Sequence, residues 1–163
     1  MTVISAIFDN YNDAAEAIVQ IENTGIPHDR ISLVMTDETR GKHFGLKDSS
    51  KADEGVAAGA SLGGALGAIA GLVAGAGVIA IPGLNLVVTG TIVTALAGLG
   101  AGAATGGLLG GLVGAGIPEH EAKMYDQNIR AGKVMVAVQT KGGDEKKAVK
   151  DIFDDLNATP KAA

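Results

Sequence analysis

Residues 55–79 read GVAAGASLGGALGAIAGLVAGAGVI and residues 98–114 read GLGAGAATGGLLGGLVG. The first run places Gly55, Gly59, Gly63, Gly67, Gly71 and Gly75 at four-residue spacing, and the second repeats it with Gly98, Gly102, Gly106, Gly110 and Gly114. No charged residue occurs between Glu54 and Glu119, a run of 64 residues. Glycine is a poor helix former, so a helix carrying this many must gain something from its neighbours. The gain is close approach, because a stripe without side chains lets a second backbone pack directly against it. Residues four apart drift by roughly 40° round a helix, so such stripes wind slowly and pack at a crossing angle. Flexible linkers use serine and other polar residues, whereas this run is interleaved with Leu, Ile and Val.

Between the two runs, Ile81-Pro82-Gly83-Leu84-Asn85 carries a turn signal centred on Pro82 and Gly83. The expected arrangement is a glycine-zipper helical hairpin over 55–118, turned at Pro82-Gly83, with the second arm starting at residue 86. At about 1.5 Å per residue, a 25-residue arm is roughly 37 Å long, enough for a bilayer core. Six glycines in register exceed what one crossing needs, so the hairpin is expected to meet copies of itself.

The flanks have a different character. All 31 charged residues lie in 1–54 and 119–163. Val3–Phe8, Ile31–Met35 and Val134–Val138 are short apolar, β-branched runs that read as buried strands. Between the first two, YNDAAEAIVQIENTG sets Ala14, Ala17, Ile18 and Ile21 on one helical face, with Asn12 or Asp13 as N-cap and Gly25 as terminator. After the neutral run, EHEAKMYDQNIRAG sets Ala122, Tyr125 and Ile129 on one face and ends at Gly132. DEKKAVKDIFDDLNA is amphipathic, with Val149, Ile152, Phe153 and Leu156 on one side.

Two helix–Gly–strand halves round one sheet imply an α+β fold. It is a small ferredoxin-like sheet of three or four strands, covered by helices on one face and interrupted by the zipper hairpin. The domain organisation follows: a discontinuous αβ domain over 1–38 and 119–163, a mobile polar linker over 39–54, and the hairpin over 55–118. A fourth strand is placed around His43–Leu46.

The chemistry sought is mostly absent. A net charge of −5, without a basic cluster and with only five aromatic residues, speaks against nucleic acid. No cysteine is present, so disulfides and thiol chemistry are excluded. Gly75-Ala76-Gly77-Val78-Ile79-Ala80 formally fits a dinucleotide fingerprint, but in so glycine-dense a segment such a match is expected by chance. His28 and His120 sit beside Ile-Pro turns and His43 in the linker; their spacing demands no metal. Asp9 and Asp13 are explained by capping, and Ser49, Ser50 and Ser61 have no histidine at motif distance. The sequence therefore predicts no catalytic, cofactor-binding or metal site. The start, MTVISAIFDNYND, lacks a basic, apolar signal segment and implies a cytoplasmic αβ domain.

ISAIFDNYNDAAEAI, GIPHDRISLVM and GAGIPEHEAKMYDQNIRAGKVMVAV form a frame round the glycine-rich insert. The frame resembles the bacterial general stress protein family of the YflT type, which includes low-temperature-induced proteins. Ile117, Pro118, Ala122 and Tyr125 carry the most specific part of that likeness. The resemblance implies a bacterial stress-response role and supplies no catalytic residues.

The expected function is thus a non-enzymatic protein that self-associates through the zipper. Its partners are copies of itself and the lipid bilayer at the inner face of the cytoplasmic membrane. A soluble homo-oligomer with a glycine-zipper core satisfies the same pattern, because Gly and Ala are only weakly apolar. A small-ligand or metal-binding module on the αβ domain is the remaining alternative.

Overall fold

The computed structural model describes residues 2–39, 79–81, 86–90, 101–114 and 117–159. Its elements run β1 (Thr2–Phe8), α1 (Tyr11–Asn23), a 3-10 turn (His28–Arg30), β2 (Ile31–Thr36), β3 (Ile79–Ile81) and β4 (Leu86–Thr89). They continue with α2 (Ala101–Gly114), α3 (Glu119–Arg130), β5 (Val134–Thr140) and α4 (Gly143–Asp155). The fold is α+β, with a five-stranded sheet in the order β1-β5-β2-β4-β3. Every neighbouring pair is antiparallel, so β1 and β2 run parallel to each other with β5 between them.

The three strands expected from the flanks form the described core of this sheet. Their side chains alternate between its faces, as the pleat requires. Ile4, Ala6 and Phe8, with Ile31, Leu33, Met35, Val134, Val136 and Val138, point to α1 and α4. Ile7, Val34, Met135 and Ala137 point to α2 and α3. On the first face α1 buries Tyr11, Ala14, Ala15, Ala17, Ile18 and Ile21, and α4 buries Val149, Ile152 and Phe153. Phe8 meets Phe153 edge to face, with ring centroids 5.6 Å apart. Each large side chain buried there contributes on the order of 1.5–3 kcal/mol relative to exposure.

Helices therefore cover both faces, where the sequence predicts one. The physical reason is β5: its run is apolar at every position from Val134 to Val138, and a strand buried on both sides needs a layer on each. The two helices that resemble each other in sequence, α1 and α3, lie on opposite faces.

The segment after Val78 departs further from expectation. Instead of a helical turn and the start of a second helical arm, residues 79–81 and 86–89 are strands paired with each other. Leu86–Thr89 also pairs with β2, from Leu33↔Thr89 to Thr36↔Leu86. The β-branched residues Ile79, Ile81, Val87, Val88 and Thr89 favour extended backbone and flank a Pro-Gly turn signal. That part of the presumed zipper thus belongs to the same sheet as the flanks. The turn residues Pro82 and Gly83 lie outside the described residues, as do Gly55, Gly59, Gly63, Gly67, Gly71, Gly75 and Gly98 and the proposed strand around His43.

Two local readings also change. The N-cap of α1 is Asn10, not Asn12 or Asp13: its Oδ1 accepts from the Asp13 backbone N–H at 2.9 Å. Thr39, assigned to the polar linker, is buried, and its hydroxyl donates to the Gly132 carbonyl at 3.2 Å.

Candidate functional site

Gly102, Gly106, Gly110 and Gly114 of the second ladder lie in α2, which is not one straight helix. Gly107 has φ 59° and ψ −150°, a conformation open to glycine and hostile to other residues. The four-residue register is therefore interrupted between Gly106 and Gly110. This corrects the expectation of an unbroken zipper stripe. Beyond the break, Leu108 and Leu112 are fully buried in the apolar cluster that α3 forms with one face of the sheet.

At about 100° per residue, Leu108, Gly111 and Leu112 share one side of that half-helix, and Gly110, Val113 and Gly114 share the other. Burial follows this division. Leu108, Gly111 and Leu112 are buried, Gly110 is half-buried, Gly114 is exposed, and Val113 is 42 % exposed. On α3 the same logic buries Ala122, Tyr125 and Ile129 and leaves Met124 39 % exposed. The last two ladder glycines thus stand on the face of α2 that the sheet does not use. That outward face, with the exposed Val113 beside Gly110 and Gly114, is the candidate site.

Beneath α3 lies a feature that the sequence pattern did not single out. Ser5, Ala137 and Ser32 stand in one row across β1, β5 and β2. All three are buried on the α3 side. The Tyr125 hydroxyl donates to the Ser5 carbonyl at 3.1 Å and accepts from the Ser5 hydroxyl at 3.2 Å. A phenol deep in an apolar layer needs such partners, and the small row makes room for its ring. Next in register beyond this row, Gly90 (φ +84°) lies so close that a Cβ there would sit 2.1 Å from the Ile31 carbonyl oxygen.

Several charged side chains pair across or within elements. Arg30 grips Glu145 with both terminal nitrogens, at 2.8 and 3.1 Å, and also donates to the Gln139 carbonyl. The Arg30 hydrogen bonds, with the Lys141 backbone N–H at 2.7 Å, hold the Glu145 carboxyl at about 2, below its usual range. This pair ties the start of β2 to the first turn of α4. Asp9 pairs with Lys133 at 2.8 Å rather than capping α1, and Asp13 accepts from the Asn10 amide at 2.7 Å. His28 pairs with Glu22, and His120 is exposed at the start of α3. Among the described residues no three His, Asp or Glu side chains group as metal ligands would. Among them, too, no helix is long and apolar enough to cross a membrane.

No family model, curated protein or solved structure matches this chain.

Proposed function

We propose that this protein is a non-enzymatic, self-associating protein whose glycine-rich segments supply the contact between copies. One observation carries the reading: Gly110 and Gly114 lie on the side of α2 turned away from the sheet, beside the exposed Val113. Small residues on an outward helical face let a second helix approach closely, and an adjacent large apolar side chain gives that helix something to cover. At the finer level, β1–α1–β2 with β5 between the two strands is a ferredoxin-like split arrangement, extended at one edge by β4 and β3. The role is a bacterial stress response of the general stress protein kind, exercised at the inner face of the cytoplasmic membrane.

A soluble assembly is the second reading, and a specific observation favours it. The second glycine run gives its leucines Leu108 and Leu112 to the core of the αβ domain, which leaves them unavailable to lipid. Light scattering of the full chain tests self-association itself: Gly110→Leu should lower the associated mass, and a monomeric wild-type protein would refute it. Alkaline extraction of a membrane pellet separates the two settings. Retention in the pellet supports the membrane; quantitative release supports the soluble assembly.

A further inference from the structure

The two helical layers differ in what they show to solvent. Among the described residues the exposed large apolar side chains are Val113 of α2 and Met124 of α3, and both stand on the same layer. The outer faces of α1 and α4 carry none. Single apolar side chains are ordinary on a surface, so Met124 gains meaning only from its surroundings. On α3, Lys123 and Met124 flank the outward line opposite the buried Ala122, Tyr125 and Ile129.

The charges beside Met124 have an order. Glu119, Lys123, Asp126 and Arg130 form one stripe along α3 and alternate minus, plus, minus, plus. Within the chain they pair as Lys123–Glu119 at 2.8 Å and Arg130–Asp126 at 2.9 Å. Reversing the helix inverts every sign. A second α3 laid antiparallel therefore sets Glu119 against Arg130 and Lys123 against Asp126, whereas a parallel one sets like against like. Opposed helix dipoles favour the same direction. Residues 119 and 130 are equidistant from a point between 124 and 125, so this register brings Met124 beside its own counterpart.

We infer that copies of this chain meet antiparallel across α3, about a two-fold axis beside Met124, with the charge stripe setting the register. The inference rests on the self-association reading and names the geometry of that contact. A two-fold contact is self-complementary, which the sign inversion of the stripe supplies. Met124 forms its apolar centre. The outward face of α2 extends it, because α3, 12 residues and about 18 Å long, is too short to bury what a stable dimer needs. Exposed charges add little affinity each, but they disfavour the wrong direction and register.

Two measurements on the full chain test it. The chain has no cysteine, so a single introduced thiol can be cross-linked only to its counterpart. In the proposed register Met124 lies about 1.5 Å along the axis from its counterpart, and the exposed His120 about 13 Å from its own. A short thiol-to-thiol cross-linker should therefore give covalent dimers from Met124→Cys and few from His120→Cys. In light scattering, Glu119→Arg and Arg130→Glu should each weaken association by about tenfold, and the double variant should recover most of it. The double variant leaves both pairs within the helix broken, so recovery reports pairing between copies. A wild-type chain that associates, with equal cross-linking at the two positions and no recovery in the double variant, would overturn this geometry alone. A monomeric wild-type chain would overturn it together with the self-association reading.

Discussion

Gly90→Ala is the substitution that most directly probes how the glycine-rich segment is joined to the sheet. Gly90 follows β4 at φ +84° and stands opposite Ser32, one step past the Leu33↔Thr89 pair. An added Cβ would lie 2.1 Å from the Ile31 carbonyl oxygen and 2.8 Å from the Ser32 Cα, both rigid backbone. Restoring an ordinary contact of 3.4 Å requires the chain to move by about 1.3 Å. A shift of that size breaks the neighbouring ladder hydrogen bonds, which weaken steeply beyond normal length. The left-handed backbone adds about 1–2 kcal/mol and the overpacking about 1–3 kcal/mol, so the expected loss is roughly 2–5 kcal/mol. Urea unfolding of the full chain, followed by circular dichroism, reads it as a lower midpoint. Gly143→Ala is the control: nothing lies within 4 Å of a Cβ there and the residue is helical. It should be neutral or stabilise by up to about 1 kcal/mol. A Gly90→Ala midpoint equal to that of wild type would refute the close approach of β4's end to β2, and with it the sheet order.

Three further outcomes follow from named contacts. Glu145 has its carboxyl pKa depressed to about 2 by Arg30 and the Lys141 N–H, so its stabilisation is present above the usual carboxylate range near 4.5 and fades as pH falls toward 2. The urea-midpoint gap between wild type and Glu145→Gln should therefore be widest near neutral pH and narrow steadily below pH 4.5; a gap independent of pH would contradict the pairing. Asn10→Ala removes the α1 cap and should cost about 1 kcal/mol in urea titration, whereas Asn12→Ala, at an exposed helical position, should cost less. Leu112→Ala should destabilise by about 2–5 kcal/mol if α2 packs on the sheet, and by little if that leucine faces solvent.

The flanks were legible because their signals are local. Strands β1, β2 and β5 announced themselves as β-branched runs, and the faces of α1, α3 and α4 followed from helical spacing. Gly25 and Gly132 were expected to end helices, and both adopt the positive φ that this role uses. Residues 79–81 and 86–89 are strands where helix was expected, although the signal was present. Ile79-Ala80-Ile81 and Leu86-Val87-Val88-Thr89 flank Pro82-Gly83 as hairpin strands do, but the uncharged length on either side outweighed that short pattern.

Features set by distant contacts were harder to find. Within α2, glycine doublets occur at 106–107 and 110–111, and nothing local in the sequence says that the helix breaks at the first. Ser5 and Ser32 occupy alternate positions within apolar strands, a hint of a special row. Their alignment through Ala137 depends on pairing across more than a hundred residues of chain. The Arg30–Glu145 grip spans a similar separation. The outward turn of Gly110 and Gly114 likewise required knowing which side of α2 the sheet takes.

The proposed self-association puts this outward face against another copy of the chain. Because the protein contains no cysteine, a single introduced thiol reports on its own surroundings alone. The direct measurement treats Gly114→Cys with a short thiol-to-thiol cross-linker and compares it with Gly142→Cys, an exposed position at the start of α4. Covalent dimers are expected from Gly114→Cys and few from Gly142→Cys. Equal yields at the two positions, or none at 114, would contradict it.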